Sequence, residues 1–592
     1  MRKTRISSAL SLSAVAALAL SACASSDTGA SNNSGSGSDA AASDKSVSIA
    51  ITNVFSSLNV GTAEGNSDTN GIINQMTSRG FYTITDTFDI RHNEWFGTYS
   101  MTEEGDGIKV DYKVNDDQKW SDGNDIDKGD LLLAWAVQSG HFDGEGEDGV
   151  KYFDWAGETA GLGGAEVPVV SKDGRSISFT YPQAFADWEI AYDVAGNSYG
   201  TPAHVVAELA GMTEDELIKA IETATPGEEN ENLRKIADAW NTGYNTTTFP
   251  SNEALTVGNG PYLVTAVEEN QSVTLTANPN YQGDKKPAIG EVVLKVQGDV
   301  ATQIQALQNG EVNAVAPQAS IDTVSQLEAL SGVVTETQPD QSYDHLDLNV
   351  KEGSPFADEN VRKAFLLTVP RQDIVDKLIK PMDANAEVLN SQLYVASDAE
   401  NYAKTVESNN SSEYPSDDMD ANIEKAKELL GGQTPTIRIL YNNKNSNRIN
   451  SFQMIKESAE KAGFVVVDAG SEQWSSLLAG GDYEASIFGW VSSGVGNSSL
   501  GQIFKTGSSS NFTGYSNPTV DAAADEIMTT TDTARIEELK MQADGEIFKD
   551  GYGLPLFQSI AVTSVSDTIT GVQPKPGQQP LTWNIEEWDI SE

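Results

Sequence analysis

The sequence is poor in cysteine and histidine, the residues that most often form disulfides and transition-metal sites. Cys23 is the only cysteine among 592 residues, and the four histidines are His92, His141, His204 and His345. No two of these histidines lie at the short spacing that zinc ligands share, so we expect no metal site and no cofactor. A single cysteine also excludes an intramolecular disulfide, so the fold must be stabilised by its apolar cores.

Basic residues are scarce as well. The chain carries 38 lysines and arginines against 87 aspartates and glutamates, which gives a formal net charge of −49 at pH 7. Nucleic acids and anionic membrane surfaces both require a positive footprint on the protein, so neither is an expected partner. The simplest interpretation is that the excess acid covers solvated faces and keeps the protein in solution.

Sequence patterns of common enzymes are absent or incomplete. There is no phosphate-binding G-x-x-x-x-G-K-[ST] loop. Residues 196–200 match the G-x-S-x-G pattern around a nucleophile, but Pro202 follows where that pattern requires a helix. The acidic segment 143–149 has Asp148 where a calcium-binding loop needs glycine. We therefore expect that Ser198 is not catalytic and that the protein is not an enzyme.

The chain has one apolar run near its start and none of membrane-spanning length after it. Residues 9–20 are mostly apolar and follow Arg2, Lys3 and Arg5, an arrangement typical of a secretory signal. This run is too short for a membrane-spanning helix, which needs about 20 residues. We therefore predict a signal peptide at residues 1–22 and a body that does not cross the membrane.

The residues around the single cysteine predict how the protein is held at the cell surface. Cys23 directly follows Leu-Ser-Ala, and this order resembles the lipobox of bacterial lipoproteins. The resemblance implies that Cys23 becomes the lipid-bearing first residue of the mature protein. Residues 24–45 contain no large apolar side chain and are expected to form a flexible tether. The alternative is an ordinary secretory signal that happens to contain a cysteine.

The body of the chain mixes strand and helix patterns, which predicts an α/β or α+β class. Alternating apolar residues predict strands at 46–51, 110–114 and 291–296. Asp127 is a suitable N-cap for a helix at 127–137. About 547 residues follow the tether, which is too many for one core, so we expect about three domains or lobes.

Several short phrases follow one another between residues 119 and 558. They are KWSDG at 119–123, DLLLAW at 130–135, VGNGPY at 257–262, NPNYQG at 278–283, IQALQNGEV at 304–312, PF at 355–356, VRKA at 361–364, GDYE at 481–484, GW at 489–490, GYSNP at 514–518 and LPLFQ at 554–558. Each phrase alone is weak, but the set in this order resembles the cluster-C, family 5 solute-binding proteins. These are the oligopeptide- and dipeptide-binding components of bacterial ABC importers.

The resemblance implies a two-lobed α/β fold of the periplasmic-binding-protein type (type II, cluster C), with an extra subdomain inserted in lobe one. Such proteins close around a ligand by bending at a few residues between the lobes. The expected order is a signal peptide at 1–22, a lipidated tether at 23–45, lobe one at 46–90, the inserted subdomain at 91–195, lobe one again at 196–300, lobe two at 301–535 and a last part of lobe one at 536–592.

The implied function is to capture an oligopeptide in the cleft and deliver it to permease subunits in the membrane. The peptide backbone would pair with protein strands while its side chains enter roomy pockets. We expect a monomer at the cell membrane, lipid-anchored on the extracytoplasmic side through Cys23. Two alternatives stay open: the same fold could bind an oligosaccharide or another polar solute, or the protein could be an envelope signalling protein that does not transport.

The candidate ligand contacts share positions at strand ends or in polar loops that face the implied cleft. They are Phe55, Ser56, Glu64, Tyr343, His345, Asn442, Arg448, Gly489, Trp490, Ser492, Ser493, Asn497, Phe557 and Gln558. The resemblance implies that the backbone of Gly489 and Trp490 pairs with a peptide. Arg448 is either a partner for a ligand carboxylate or a surface cation, and His345 is either a ligand contact or a hydrogen-bonded structural residue.

One position departs from the family pattern. Peptide-binding relatives often have, three residues after the tryptophan, an aspartate that binds the peptide α-amine, and here that position is Ser493. A buried ammonium needs a counter-charge. Either a carboxylate from elsewhere replaces the aspartate, with Glu64 and Asp68 as candidates, or the ligand is not a peptide with a free amine.

Overall fold

The computed structural model describes most of the chain after the tether. The described residues are 43–591 without 147–148, 197–198, 492–494 and 578–580. Four residues of interest in the sequence lie outside this part of the chain: Cys23, Ser198, Ser492 and Ser493. Within the described residues, no helix combines the length and the apolar character that crossing a membrane requires.

Strands and helices alternate along the described chain, which confirms the predicted α/β class. The strands are β1 (Ser46–Ile51), β2 (Tyr82–Ile84), β3 (Ile90–His92), β4 (Gly97–Glu104), β5 (Gly107–Val114), β6 (Val169–Val170), β7 (Ser176–Tyr181), β8 (Tyr262–Glu268), β9 (Ser272–Ala277), β10 (Glu291–Val296), β11 (Ala314–Val315), β12 (Val333–Leu348), β13 (Thr436–Tyr441), β14 (Val465–Asp468), β15 (Ala485–Val491), β16 (Gly553–Ser566), β17 (Ile569–Thr570) and β18 (Asp589–Ile590). The helices are α1 (Asp68–Thr77), α2 (Lys128–Ser139), α3 (Ala160–Gly163), α4 (Ala203–Leu209), α5 (Glu214–Thr223), α6 (Glu231–Thr242), α7 (Val300–Gln308), α8 (Ile321–Glu328), α9 (Glu359–Leu367), α10 (Arg371–Ile374), α11 (Ala399–Val406), α12 (Met419–Leu430), α13 (Ser446–Ala462), α14 (Trp474–Gly480), α15 (Ser499–Phe504), α16 (Pro518–Met528) and α17 (Thr533–Asp550).

Helix α2 illustrates how local sequence sets an element. The Asp127 carboxylate accepts the backbone N–H of Gly129 at 3.0 Å, and the Asp130 carboxylate accepts that of Asp127 at 2.9 Å. This capping box satisfies backbone donors that the first helical turn leaves without partners. The helix ends at Gly140, whose φ of 62° is a left-handed conformation that favours glycine. Both ends agree closely with the predicted helix.

The main sheet has ten strands in the order β14-β13-β15-β12-β16-β11-β1-β10-β9-β8. At one end, β1 pairs in parallel with β10, which continues antiparallel into β9 and β8. At the other end, β15 pairs antiparallel with β12 and in parallel with β13. The predicted strands at 46–51 and 291–296 are therefore neighbours in one sheet.

Two long antiparallel strands, β12 and β16, connect the two ends of this sheet. Their register runs from Val333 opposite Ser566 to Asp347 opposite Gly553, with one irregularity between Pro339 and Tyr343 and a second between Asp344 and His345. Proline has no N–H to donate to the ladder, and such irregularities bend a strand locally. The chain can therefore change direction at this point without leaving the sheet.

Three large apolar clusters form the cores. One surrounds β1 and β8–β10, and another packs against β12, β13, β15 and β16. The third runs from Phe81 to Tyr244 and is built on a separate four-stranded sheet, β4-β5-β7-β6, covered by α2 and α4–α6. Tyr112 lies at its centre, 5.1 Å from the rings of both Phe81 and Tyr192. The boundaries assigned to the lobes from the sequence remain predictions.

Candidate functional site

Three cavities lie next to one another in the described part of the chain. Tyr82 and Gly196 line both the first and the second cavity. The second cavity reaches Lys575, and the third is lined by the next residue, Pro576. A solute much larger than one side chain can therefore contact more than one of them.

The first cavity, called the acidic cavity below, has a volume of about 250 Å³. Its charged lining side chains are all carboxylates, and several of its walls are aromatic. These lining residues are Glu158, Asp187 and Asp193 among the acids and Tyr82, Trp155, Phe185 and Tyr199 among the aromatics. Ser498 and Met528 close it from the side of α15 and α16. Such a lining suits a solute that is both cationic and apolar.

Two acids of the acidic cavity, Asp187 and Glu158, are hydrogen-bonded to residues far away in sequence. The two carboxylate oxygens of Asp187 accept the backbone N–H of Asn497 at 2.9 Å each, and one also accepts its side-chain amide at 2.8 Å. Gln502 donates to Glu158 at 2.7 Å. Asn497, a predicted ligand contact, is thus bonded to Asp187 in this conformation.

Asp193, the third acid of the cavity, has different hydrogen-bond partners from Asp187. One of its oxygens accepts the backbone N–H groups of Phe81 at 3.2 Å and Val194 at 3.0 Å. Gly80 packs against the same carboxylate, because a Cβ added there would lie 2.0 Å from its oxygen. Backbone donors from two segments thus stabilise the charge of Asp193, whereas the carboxylate of Asp187 accepts the backbone and side-chain N–H groups of a single residue, Asn497.

The second cavity, called the basic cavity below, has a volume of about 230 Å³. Its charged lining side chains are Arg79 and Lys575, and Trp583 forms part of the wall. Arg79 is buried and pairs with Glu586, with 3.0 Å between Nη2 and Oε2. Lys575 donates to the carbonyl oxygen of Ile84 at 2.7 Å.

The third cavity is the largest of the three, at about 540 Å³. It is bounded by residues 86–89, by 338–341 at the irregular part of β12, and by 393–398. Gln558 connects two of these segments. Its side-chain amide donates to the carbonyl oxygen of Asp340 at 2.7 Å and to the hydroxyl of Ser397 at 3.0 Å. Gln558 itself lines a further cavity of about 220 Å³.

Trp490 lies half-buried in a stack of rings. Its ring plane is nearly parallel to those of His345 and Phe512, at centroid distances of 5.9 and 6.2 Å. Its indole N–H is buried and has no hydrogen-bond partner among the described residues. Tyr343, the strand partner of Trp490, donates its hydroxyl to the carbonyl of Gln392 at 2.8 Å. These side chains do not line the three cavities in this conformation.

His345 is fully buried and hydrogen-bonded, as one of its two predicted roles requires. Its Nδ1 lies 2.6 Å from Asp347, whose other oxygen accepts the Tyr552 hydroxyl at 2.8 Å. Nε2 has no partner among the described residues. The arrangement joins β12 to the start of β16 through side chains.

Arg448 is paired inside the protein. Its Nη2 lies 2.9 Å and its Nε 3.1 Å from the carboxylate of Asp344, which is itself buried. Gly489 makes room for this pair, because a Cβ there would lie 2.9 Å from Arg448 and 3.0 Å from Asp344. Nearby, the Asn442 side chain accepts the N–H of Lys444 at 2.9 Å. Arg448 is therefore neither a free surface cation nor an unpaired partner for a ligand carboxylate.

The remaining predicted contacts lie in cores or on the surface. Phe55 and Phe557 are 5 and 2% exposed, each within an apolar cluster. Ser56 exchanges hydrogen bonds with Asn70 on α1. Glu64 is exposed and accepts the side-chain amide of Asn245 at 3.2 Å. Whether any of them reaches a ligand stays a prediction.

Sequence reasoning missed Asp193, which backbone N–H groups hold in the acidic cavity. It also missed the other four charged residues of the two smaller cavities: Arg79, Glu158, Asp187 and Lys575. Each stands in a segment without a recognisable motif. Among so many acids no pattern marks Asp187, and Lys575 follows Pro574 in a stretch with little periodicity. Their partners lie hundreds of residues away, so only the fold brings them together.

The chain matches a known family over most of its length. Residues 94–512 match the model of the bacterial extracellular solute-binding proteins, family 5 Middle. The chain is 24% identical over 535 residues to the oligopeptide-binding protein OppA of Mycobacterium tuberculosis, covering 88% of this chain and 81% of that protein. It is 24% identical over 517 residues to the lipoprotein Rv2585c of the same organism, covering 84% of each. It is 22% identical over 489 residues to the dipeptide-binding protein DppE of Bacillus subtilis, covering 80% of each.

Solved structures agree with this assignment. The periplasmic EDTA-binding protein EppA matches with a TM-score of 0.77 at 20% identity, covering 93% of this chain and 98% of that one. AppA of Bacillus subtilis, solved with a nonapeptide, matches with a TM-score of 0.66 at 17% identity, covering 92 and 99%. These matches confirm the two-lobed binding-protein fold. Because the family model spans well over half of the chain, the protein belongs to the bacterial extracellular solute-binding proteins of family 5, as its sequence phrases predicted.

Proposed function

We propose that the protein is a monomeric receptor, lipid-anchored outside the membrane through Cys23, that captures oligopeptides for the permease of an ABC importer. It binds and releases its solute without chemical change. The observation that carries the proposal is the row of three cavities, because separated pockets along one cleft suit the successive side chains of an extended ligand.

The end of β15 supports a peptide as the ligand. β13 pairs with β15 only at Ala485, Ser486 and Ile487, whereas β12 pairs with it along its whole length. Among the described residues, Gly489 and Trp490 therefore have a strand on one side only. An extended peptide can add to such an edge through its backbone, which gives affinity with little dependence on sequence.

The acidic cavity supplies the acid that the family position lacks. Glu64 and Asp68 are both exposed and do not line this cavity. Asp187 and Glu158 do line it, and their hydrogen bonds come from the neutral amides of Asn497 and Gln502. A peptide ammonium forms a stronger, charge-assisted hydrogen bond with a carboxylate than an amide does. We assign the α-amine, or a cationic side chain near it, to this cavity.

An oligosaccharide is the second candidate ligand. The rings of Tyr82, Trp155, Phe185 and Tyr199 around the acidic cavity favour it, since aromatic walls suit the apolar faces of sugars as well as peptide side chains. The other relatives include an EDTA-binding protein, so the fold accepts solutes other than peptides.

A thermal-shift screen of residues 46–592 tests these assignments. The panel contains peptides of two to ten residues, their N-acetylated forms and oligosaccharides. A ligand at 100 times its Kd stabilises the folded state by about 2.7 kcal/mol. We expect free peptides to raise Tm more than acetylated ones, as an amine pocket requires. Equal shifts would contradict the amine assignment, and shifts with sugars alone would contradict the peptide proposal.

A further inference from the structure

The acidic and basic cavities are neighbours of opposite charge. Tyr82 and Gly196 line both of them. All charged lining residues of the acidic cavity are carboxylates, whereas those of the basic cavity are Arg79 and Lys575. A solute that spans the two cavities therefore meets carboxylates at one end and cations at the other.

Arg79 lines the basic cavity, and not all of its N–H groups have a hydrogen-bond partner in the described chain. Its Nη2 pairs with Glu586 and approaches the carbonyl oxygen of Trp583 at 3.3 Å. Its Nε, in contrast, is buried and has no hydrogen-bond partner among the described residues. Nη1 carries two N–H groups and makes one contact among these residues, of 3.4 Å, with the carbonyl oxygen of Ser78. Arg79 can therefore donate a further hydrogen bond from Nη1 to an acceptor in the cavity.

Lys575 lies in the same cavity without a carboxylate at hydrogen-bonding distance. Its Nζ donates to the carbonyl of Ile84 and lies 5.6 Å from the ring centre of Phe88. Burial lowers the pKa of Lys575 to about 8, while Asp86 raises it and Arg79 lowers it further. An ammonium has three donors, so Lys575 can accept a second partner without losing the first.

The charged side chains that line this cavity are both cations, and the acids that offset their charge are not part of the lining. Glu586 neutralises Arg79 by direct contact, and Asp86 acts on Lys575 electrostatically. Neither acid lines the basic cavity itself. An anion that enters therefore meets two cations at the wall, in surroundings where water screens their charge less than in bulk.

We propose that Arg79 and Lys575 form a carboxylate-binding subsite. It holds an acidic group of the solute while the neighbouring acidic cavity holds a cationic one. This inference rests on the proposed function, because the bound carboxylate is the C-terminus or an acidic side chain of a peptide. The subsite selects zwitterionic solutes and fixes the direction in which they lie in the cleft.

Calorimetric titration with trialanine to hexaalanine and with their C-terminal amides tests the subsite. The wild-type protein should bind the acids roughly tenfold or more tightly than the amides, which is the size expected for a hydrogen bond to a charged group. Lys575→Gln should weaken binding of the acids by about tenfold and leave that of the amides nearly unchanged. Lys575→Arg should restore the preference, since it keeps the charge.

Lys285→Gln is the matched control, because its side chain is 58% exposed and does not line the cavity. The inference is overturned if acids and amides bind equally, or if Lys575→Gln keeps the wild-type ratio. Failure of every peptide to bind would refute the proposed function instead. In that case, the thermal stabilisation by citrate and succinate is compared with that by succinamide to test the subsite. Stabilisation by the acids that is lost in Lys575→Gln supports it, and no stabilisation overturns it.

Discussion

At the scale of single residues, Gly489 lies where the protein has no space for a side chain. A Cβ would approach the guanidinium of Arg448 and the carboxylate of Asp344 to about 3 Å. We predict that Gly489→Ala lowers the free energy of unfolding by about 1–3 kcal/mol, because the ion pair must shift to accept a methyl group. Urea denaturation of the unliganded protein measures this change.

Gly298→Ala is the matched control for that substitution. No atom lies within 4 Å of a Cβ at Gly298. Alanine there should leave stability unchanged or raise it slightly, since it restricts only the unfolded chain. Equal changes in unfolding free energy for the two substitutions would show that the crowding at Gly489 does not affect stability.

The ion pair of Arg448 and Asp344 leads to a second prediction at this scale. Arg448→Ala leaves the Asp344 carboxylate, which is 4% exposed, without its cation. We expect a loss of about 3–5 kcal/mol in unfolding free energy. Lys404→Ala, which removes an exposed pair with Glu400, should cost less than about 1 kcal/mol. Similar losses for both variants would contradict this interpretation.

At the scale of elements, helix α17 inserts a carboxyl group into the core. Asp544 is fully buried, accepts the N–H of Gln392 at 2.7 Å and contacts the amide of Asn409. Burial raises the pKa of Asp544 to about 7. Burial likewise raises the pKa of Asp130 to about 6 and that of Glu214 to about 8. The folded protein therefore holds protons that the unfolded chain has already released.

We predict that stability falls as the pH rises from 5 to 8. A carboxyl group whose pKa is higher in the folded state stabilises fully below about pH 4, and this contribution is lost as the pH passes the folded-state pKa. The midpoint of thermal unfolding, followed by circular dichroism, should therefore decrease across this range.

Asp544→Asn isolates one group in this pH dependence. The neutral amide keeps the size of the side chain and cannot titrate, so the decrease between pH 5 and 8 should become shallower. Asp482→Asn is the control, since the Asp482 side chain is 91% exposed. An unchanged slope in Asp544→Asn would show that this buried acid does not titrate in the range.

At the scale of the whole molecule, the contact of Asp187 with Asn497 joins segments 310 residues apart. We predict that Asp187→Ala favours a more open conformation of the ligand-free protein. The backbone N–H of Asn497, which both carboxylate oxygens share, and its side-chain amide lose their acceptor. At about 1 kcal/mol for each donor, the population of the conformation that holds this contact should fall by roughly tenfold or more. An increased radius of gyration in small-angle X-ray scattering would report this.

Asp116→Ala is the control for the scattering experiment, because Asp116 is exposed after β5. A scattering curve of Asp187→Ala that overlays the wild-type curve would show that the contact does not hold the lobes. The long strands can bend locally between Pro339 and Tyr343, where their register is irregular.

The local sequence determined the features that depend on neighbouring residues. Apolar alternation predicted β1 and β10, because a strand exposes alternate residues to the core. Asp127 predicted the start of α2 through its own side-chain hydrogen bond. The ordered phrases between residues 119 and 558 were sufficient to predict the family.

Only the tertiary structure decided which side chains surround the cavities. Arg79 meets Glu586 across 507 residues, and Asp187 meets Asn497 across 310. Arg448, which the sequence left between two roles, is paired with Asp344 because α13 packs on β13 and β15, and β15 is the neighbour of β12 in the sheet. Charge and burial at such positions depend on strand order and lobe packing. Periodicity and capping extend over a few residues and carry no information about them.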